Sequence, residues 1–160
     1  MKNKQKKLTL KNFKGFTLIE ILVVIGIIAI LATIVLIAIN PARQFRQARD
    51  TQRTSNVNAI LNAIGQYIAD NKGAVPSGMP AAAASPSPIS DSGANLCTQL
   101  VPKYISSLPV DPAVTSGPIP SPCTTPYDTQ YNVSTDASGR ITVYADGEEP
   151  AGTNNISVTR

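Results

Sequence analysis

The chain has 160 residues, enough for one domain of ordinary size, with a net charge of +4 and a hydrophobic fraction of 42%. It contains no histidine, which removes the commonest general base and the commonest metal ligand. It also lacks a G-x-S-x-G elbow and a phosphate-cradling glycine loop, so catalysis finds no support and no cofactor is expected.

The charge is unevenly placed. Lys2, Lys4, Lys6, Lys7, Lys11 and Lys14 crowd the N-terminus, Arg43, Arg46, Arg49 and Arg53 follow, and beyond residue 54 four bases face eight acids, a balance of −4. The basic excess describes the flanks of an apolar run and not a nucleic-acid-binding domain, so no nucleic-acid partner is expected. The rest of the chain has no tryptophan and is rich in Pro, Ser, Ala and Gly. A core of that composition is the size of a module of roughly 90 residues, with marginal stability.

The apolar run, Phe16 to Ile39, has 24 residues. As a helix it measures about 36 Å, enough to cross a hydrocarbon core of about 30 Å. A buried helix of a soluble protein would not be apolar all round. A secretory signal peptide has a shorter apolar core and a small-residue cleavage site, which Asn40-Pro41-Ala42-Arg43 does not match. The leading lysines place the N-terminus in the cytoplasm and residues 41–160 outside. Within the helix Gly26, Ala29, Ala32 and Thr33 fall at helical spacing, where small residues let helices approach closely, though glycine is also common in membrane helices. Glu20 stands out, because a charge well inside a bilayer costs on the order of 3 kcal/mol.

Lys14-Gly15-Phe16-Thr17-Leu18-Ile19-Glu20 closely resembles the processing motif of type IV prepilins and type II secretion pseudopilins. A basic leader, a Gly, a Phe, a Glu at that offset and an apolar run beginning at once all coincide. The resemblance implies cleavage by a prepilin peptidase between Gly15 and Phe16, on the cytoplasmic side, and N-methylation of Phe16. Glu20 would become the fifth mature residue and pair with the Phe16 amine of a neighbouring subunit during assembly. The plainer reading is that Glu20 snorkels to the headgroups one turn from the membrane face. Cleavage would remove all six leader lysines and leave 145 residues at a net −2 before the termini.

Pro41 follows the run and predicts either a kink or a new helix with Asn40 as its cap and Pro41 as its first residue. The family's usual proline falls where this chain has Ile37. Residues 42–72 read as helix, with Val57, Ile60, Leu61, Ile64 and Ile68 forming a stripe for packing on a sheet. Arg43, Arg46, Arg49 and Arg53 form a basic ribbon. It is either a solvated face or a contact for acidic neighbours or anionic headgroups. Gly73 is expected to cap the helix in left-handed conformation. From Phe16 the helical stretch covers roughly 57 residues, about 85 Å if nearly straight.

Residues 74–95 form a Pro/Ala/Ser loop. A short helix is expected near Leu96, Leu100 and Val101, and the phrase Tyr104-Ile105-Ser106-Ser107-Leu108-Pro109-Val110-Asp111-Pro112 is similar to a Y-x-x-x-L-P-x-D-P region of pseudopilin heads. Strands are predicted at 127–133, 140–145 and 156–159, with a turn at Asp136–Gly139. Cys97 and Cys123 lie on the outer side, where disulfides persist. A bridge between them would close a loop of about 26 residues and contribute roughly 3 kcal/mol; the other reading is two free thiols. Two cysteines without histidine fall short of a four-ligand zinc site, and metal ligands are expected to be none. On resemblance to an acidic region of some pseudopilin heads, Asp146 is a weak calcium candidate; the plainer reading of Asp146-Gly147 is a turn.

The expected fold class is α+β, pilin-like: a long N-terminal helix, membrane-spanning in its first half, and a small antiparallel sheet of three or four strands. The expected division is a leader at 1–15, an assembly helix at 16–39, an amphipathic continuation at 40–73 and a head at 74–160. The resemblance implies a structural subunit of a pilus or pseudopilus, with homo-oligomeric filament contacts, a prepilin peptidase, the membrane and assembly machinery as partners. The precursor would sit in the cytoplasmic membrane and the filament outside it. The competing class is a signal-anchored membrane protein whose head binds a partner and never polymerises.

Overall fold

The computed structural model describes residues 15–124 and 126–160. The leader before Gly15 lies outside the described residues. The chain divides into two compact units, Met1–Pro41 and Ala42–Arg160.

In the first unit helix α1 spans Leu18–Ile39. Valine and isoleucine are middling helix formers in water, yet in lipid the helix is the form that satisfies every backbone group within the segment. Thr17 caps the start from an extended conformation. At the other end Asn40 adopts the left-handed region, φ 44°, which asparagine tolerates better than most residues. Its most apolar 18 residues have a mean hydropathy of 3.3, and none of its side chains is buried. The helix is thus long and apolar enough to cross a membrane.

Helix α2 spans Pro41–Asp70 in the second unit. Pro41 is its first residue, where a missing N–H costs nothing. Of the two readings of Pro41, the structure takes the second: Pro41 begins a new helix, and left-handed Asn40 separates it from α1. At the far end Lys72 (φ 57°) and Gly73 (φ 90°) both take positive φ, and the Gly73 N–H donates to Ile68 O at 2.9 Å. This is a six-to-one closure with Lys72 as the first left-handed residue, one position before the expected glycine.

The strands are β1 (Ser87–Ser90), β2 (Ser107–Leu108), β3 (Ile119–Pro120), β4 (Asp128–Thr135), β5 (Ile141–Glu148) and β6 (Ala151–Thr159), and a short helix α3 covers Cys97–Leu100. A four-stranded antiparallel sheet has the order β1-β4-β5-β6, while β2 and β3 form a separate pair. The predicted strands near 127–133, 140–145 and 156–159 correspond to β4, β5 and β6. Strand β1 was not legible, because it is four residues at the end of the Pro/Ala/Ser stretch and is fixed by pairing with β4. Asp146-Gly147 belongs to β5 and is not a turn; the chain reverses at Glu149-Pro150.

Alternation along β4 and β5 sends Tyr131, Val133, Ile141, Val143 and Ala145 into the core. They meet the stripe of α2, in which Val57, Ile60, Leu61 and Ile64 are buried and Ile68 packs partly against the cluster. Each such side chain contributes about 1.5–3 kcal/mol by leaving water. Ile89, Leu96, Leu100 and Leu108 close the core from the connecting segments.

Candidate functional site

Two clusters carry polar chemistry. The first is at the start of α1. Glu20 Oε2 accepts the Thr17 backbone N–H at 2.8 Å and the Thr17 hydroxyl at 2.7 Å, while the Glu20 N–H donates to Thr17 Oγ1 at 3.3 Å. Thr17-Leu18-Ile19-Glu20 is thus a capping box, a reciprocal device that satisfies orphan donors of the first turn. The T-x-x-E spacing was readable in the sequence, and it gives Glu20 a partner in its own chain besides the two alternatives considered above. Gly15 and Phe16 lie ahead of the helix without regular structure, and among the described residues a side chain at Gly15 would meet no atom within 4 Å. Further along, Thr33 Oγ1 donates to Ala29 O at 2.8 Å, so its hydroxyl is satisfied within the helix.

The second cluster lies in the Ala42–Arg160 unit. The arginine ribbon of α2 is neither a bare solvated face nor an unmatched surface awaiting a neighbour. Each of its four members has an acidic partner in the same unit. Arg53 is 4% exposed. Its Nε and Nη2 donate to Asp111 Oδ2 and Oδ1 at 2.6 and 2.8 Å. Its Nη1 reaches Asp50 Oδ1 and Glu148 Oε1, both at 2.7 Å. Arg49 forks onto Glu148, with Nε to Oε1 at 2.8 Å and Nη2 to Oε2. Arg46 and Arg43 share Glu149, at 3.2 and 3.4 Å. Asp50, one turn before Arg53 Cα, faces the same place. Its carboxylate accepts the Glu148 N–H at 3.0 Å and the Glu149 N–H at 2.8 Å, which fastens the β5–β6 turn.

The electrostatics follow from this geometry. Hydrogen bonds from Arg49, then from Arg53, hold the Glu148 carboxyl down to about 2. Burial of Asp50 opposes its ionised form, but the Glu148 N–H, Arg53 and the Glu149 N–H outweigh that and keep its carboxyl below the usual range. The Asp111 carboxylate raises Arg53 further above the ordinary guanidinium range. Nearby, Asn56 Nδ2 donates to Tyr131 Oη at 2.8 Å, and burial pushes that phenol up to about 12.

The L-P-x-D-P phrase now has a physical account. Leu108 and Val110 point into the core, and Asp111 receives Arg53. Asp111 Oδ1 also accepts the Ala113 N–H at 2.8 Å. Cys97 and Cys123 are joined by a disulfide, Cα–Cα 6.0 Å across a separation of 26 residues, and the loop they close contains Asp111. Asp146 is exposed on β5, and among the described residues no group of three or more His, Cys, Asp or Glu side chains is placed to hold a metal ion. The acids adjoining Asp146 are bound by arginines instead.

A family model described as "Prokaryotic N-terminal methylation motif" matches residues 10–36. The chain therefore carries the type IV pilin and pseudopilin prepilin motif, and its long apolar helix, second helix and antiparallel sheet form an α+β, pilin-like layout. The motif and the apolar helix fit a membrane-anchored precursor. No curated protein and no solved structure matches the chain.

Proposed function

We propose that the chain is the precursor of a structural filament subunit, of a type IV pilus or a type II secretion pseudopilus. A prepilin peptidase cuts between Gly15 and Phe16, Phe16 is N-methylated, and residues 16–39 pack side by side in the filament. The observation that carries this reading is the methylation motif matched at residues 10–36 together with helix α1, whose side chains are all unburied. Such a helix needs a second apolar environment, first lipid and then other copies of itself. The N-terminus faces the cytoplasm and the head stands outside the membrane, where the Cys97–Cys123 bridge persists.

Glu20 is the assembly residue in this reading. Its carboxylate, which accepts the Thr17 donors in the isolated chain, accepts the Phe16 ammonium of a neighbour beside them or in their place, which neutralises both charges and sets the axial offset between subunits. Co-expression with a prepilin peptidase and N-terminal sequencing tests the first step. An N-methyl-Phe start at residue 16 is expected, and an intact Met1 overturns the proposal in favour of a signal-anchored protein. Electron microscopy of sheared fibres tests the second. Glu20→Ala should insert and be processed yet give no filaments, and wild-type yield from that variant would refute the assembly role.

A further inference from the structure

The tip of the β5–β6 hairpin is built differently from the sheet beneath it. Below the tip, Ile141, Val143 and Ala145 are buried in the core. The ladder then shifts register between Ala145 and Gly147, so that Ala145 pairs with Ile156 and Gly147 with Gly152. Residues 153–155 bulge out on the β6 side. Between Ala145 and Ile156 none of the described apolar side chains enters the core.

Hydrogen bonds and ion pairs tie the tip to α2. Asp50 takes the Glu148 and Glu149 N–H groups at 3.0 and 2.8 Å. Arg49 and Arg53 bind Glu148, and Arg43 and Arg46 bind Glu149. Inside the tip the Asn155 amide takes the Gly147 N–H at 2.6 Å and donates to Pro150 O at 2.8 Å, so the bulged loop keeps its own shape. A cleft of about 270 Å³ adjoins it, lined by Arg53, Asp111, Val114, Gln130, Asp146 and Gly147 among others.

We infer that residues 146–155 form a strap that opens as a unit on α2 while the hydrophobic body of the head stays folded. The register shift uncouples the strap from the ladder, and its latch is ionic. Opening withdraws Glu148 from Arg49 and Arg53, and Glu149 from Arg43 and Arg46.

Hydrogen exchange with mass spectrometry on the full chain in detergent tests this. Peptides covering 146–155 should exchange ahead of those covering β4 and the first half of β5, in wild-type protein. Two variants separate strap opening from global unfolding. Ile60→Val weakens the core, which the open-strap state retains, so it should speed exchange of peptides from β4 and the first half of β5 about fivefold and leave the strap peptides unchanged. Glu149→Gln weakens only the latch, so it should speed the strap peptides without exposing the core ahead of them. If strap and core exchange at one rate and Ile60→Val accelerates both alike, the head is a single cooperative unit and the inference is wrong.

Discussion

Replacing Arg53 by alanine is the sharpest test of how the head is held on α2. The guanidinium is 4% exposed and lies among Asp111, Asp50 and Glu148. Its loss strands Asp111, itself 7% exposed, with the Ala113 backbone N–H as the remaining donor to its carboxylate of those described above. Glu148 keeps Arg49 and Asp50 keeps two backbone N–H groups, so the uncompensated penalty falls on Asp111. Breaking a buried pair from one side costs about 3–5 kcal/mol. The unit has 119 residues, for which a total stability on the order of 10 kcal/mol is typical. The substitution should therefore remove a third to a half of it and lower Tm by about 10–20 °C. Thermal unfolding of the full chain in detergent, followed by tyrosine circular dichroism, measures this. Adding Asp111→Asn should restore part of the loss, because it removes the stranded charge. A single-variant shift under about 2 °C would show that the cluster is a solvated surface network and refute the reasoning.

Acid should unlatch the same cluster. Glu148 is ordinarily protonated near 4.5 and is held to about 2 in the fold; Asp50 moves in the same direction. A depressed folded value means stability is fully present above the unfolded value and is lost as pH falls through the folded one. Stability should therefore be level from pH 7 to about 5, then decline between about 4.5 and 2, and Glu148→Gln should flatten part of that decline in pH-dependent denaturation curves. Removing the bridge with Cys97→Ser and Cys123→Ser should cost about 3 kcal/mol from the 26-residue separation. Limited proteolysis should then cut first in the Pro-rich loop around Asp111. Ile60→Ala should cost about 2–5 kcal/mol through a core cavity, since Ile60 is fully buried against the sheet; a shift below about 1 kcal/mol in chemical denaturation would contradict the assigned packing of α2.

Much of the architecture was written in local pattern. Apolar length predicted α1, the spacing of Val57, Ile60, Leu61 and Ile64 predicted the buried face of α2, and alternation predicted β4, β5 and β6. These signals are local because helix and strand periods are properties of a few consecutive residues. The processing motif was legible for the same reason, as Gly15, Phe16 and Glu20 sit within six residues. The capping box was equally local, since Thr17 and Glu20 are three residues apart. The interruption at Asn40 was half legible, because Pro41 announced a break or a start and the left-handed backbone of Asn40 selected the start.

What the sequence by itself determined is the apolar helix, its orientation signal, the methylation motif and the face that α2 buries. What only the tertiary structure decided is the fate of the charges. Arg53 and Asp111 are 58 residues apart, and Arg49 and Glu148 are 99 apart, so no local pattern could pair them. Read alone, four arginines at three- and four-residue spacing are either a solvated face or a surface for acidic neighbours. The fold supplies four acids, three of them from β5, the turn after it and the disulfide-closed loop, and so converts that surface into an internal clasp. Edge strand β1 followed the same rule: its four residues carry too little pattern to declare themselves, and the long-range ladder with β4 made them a strand.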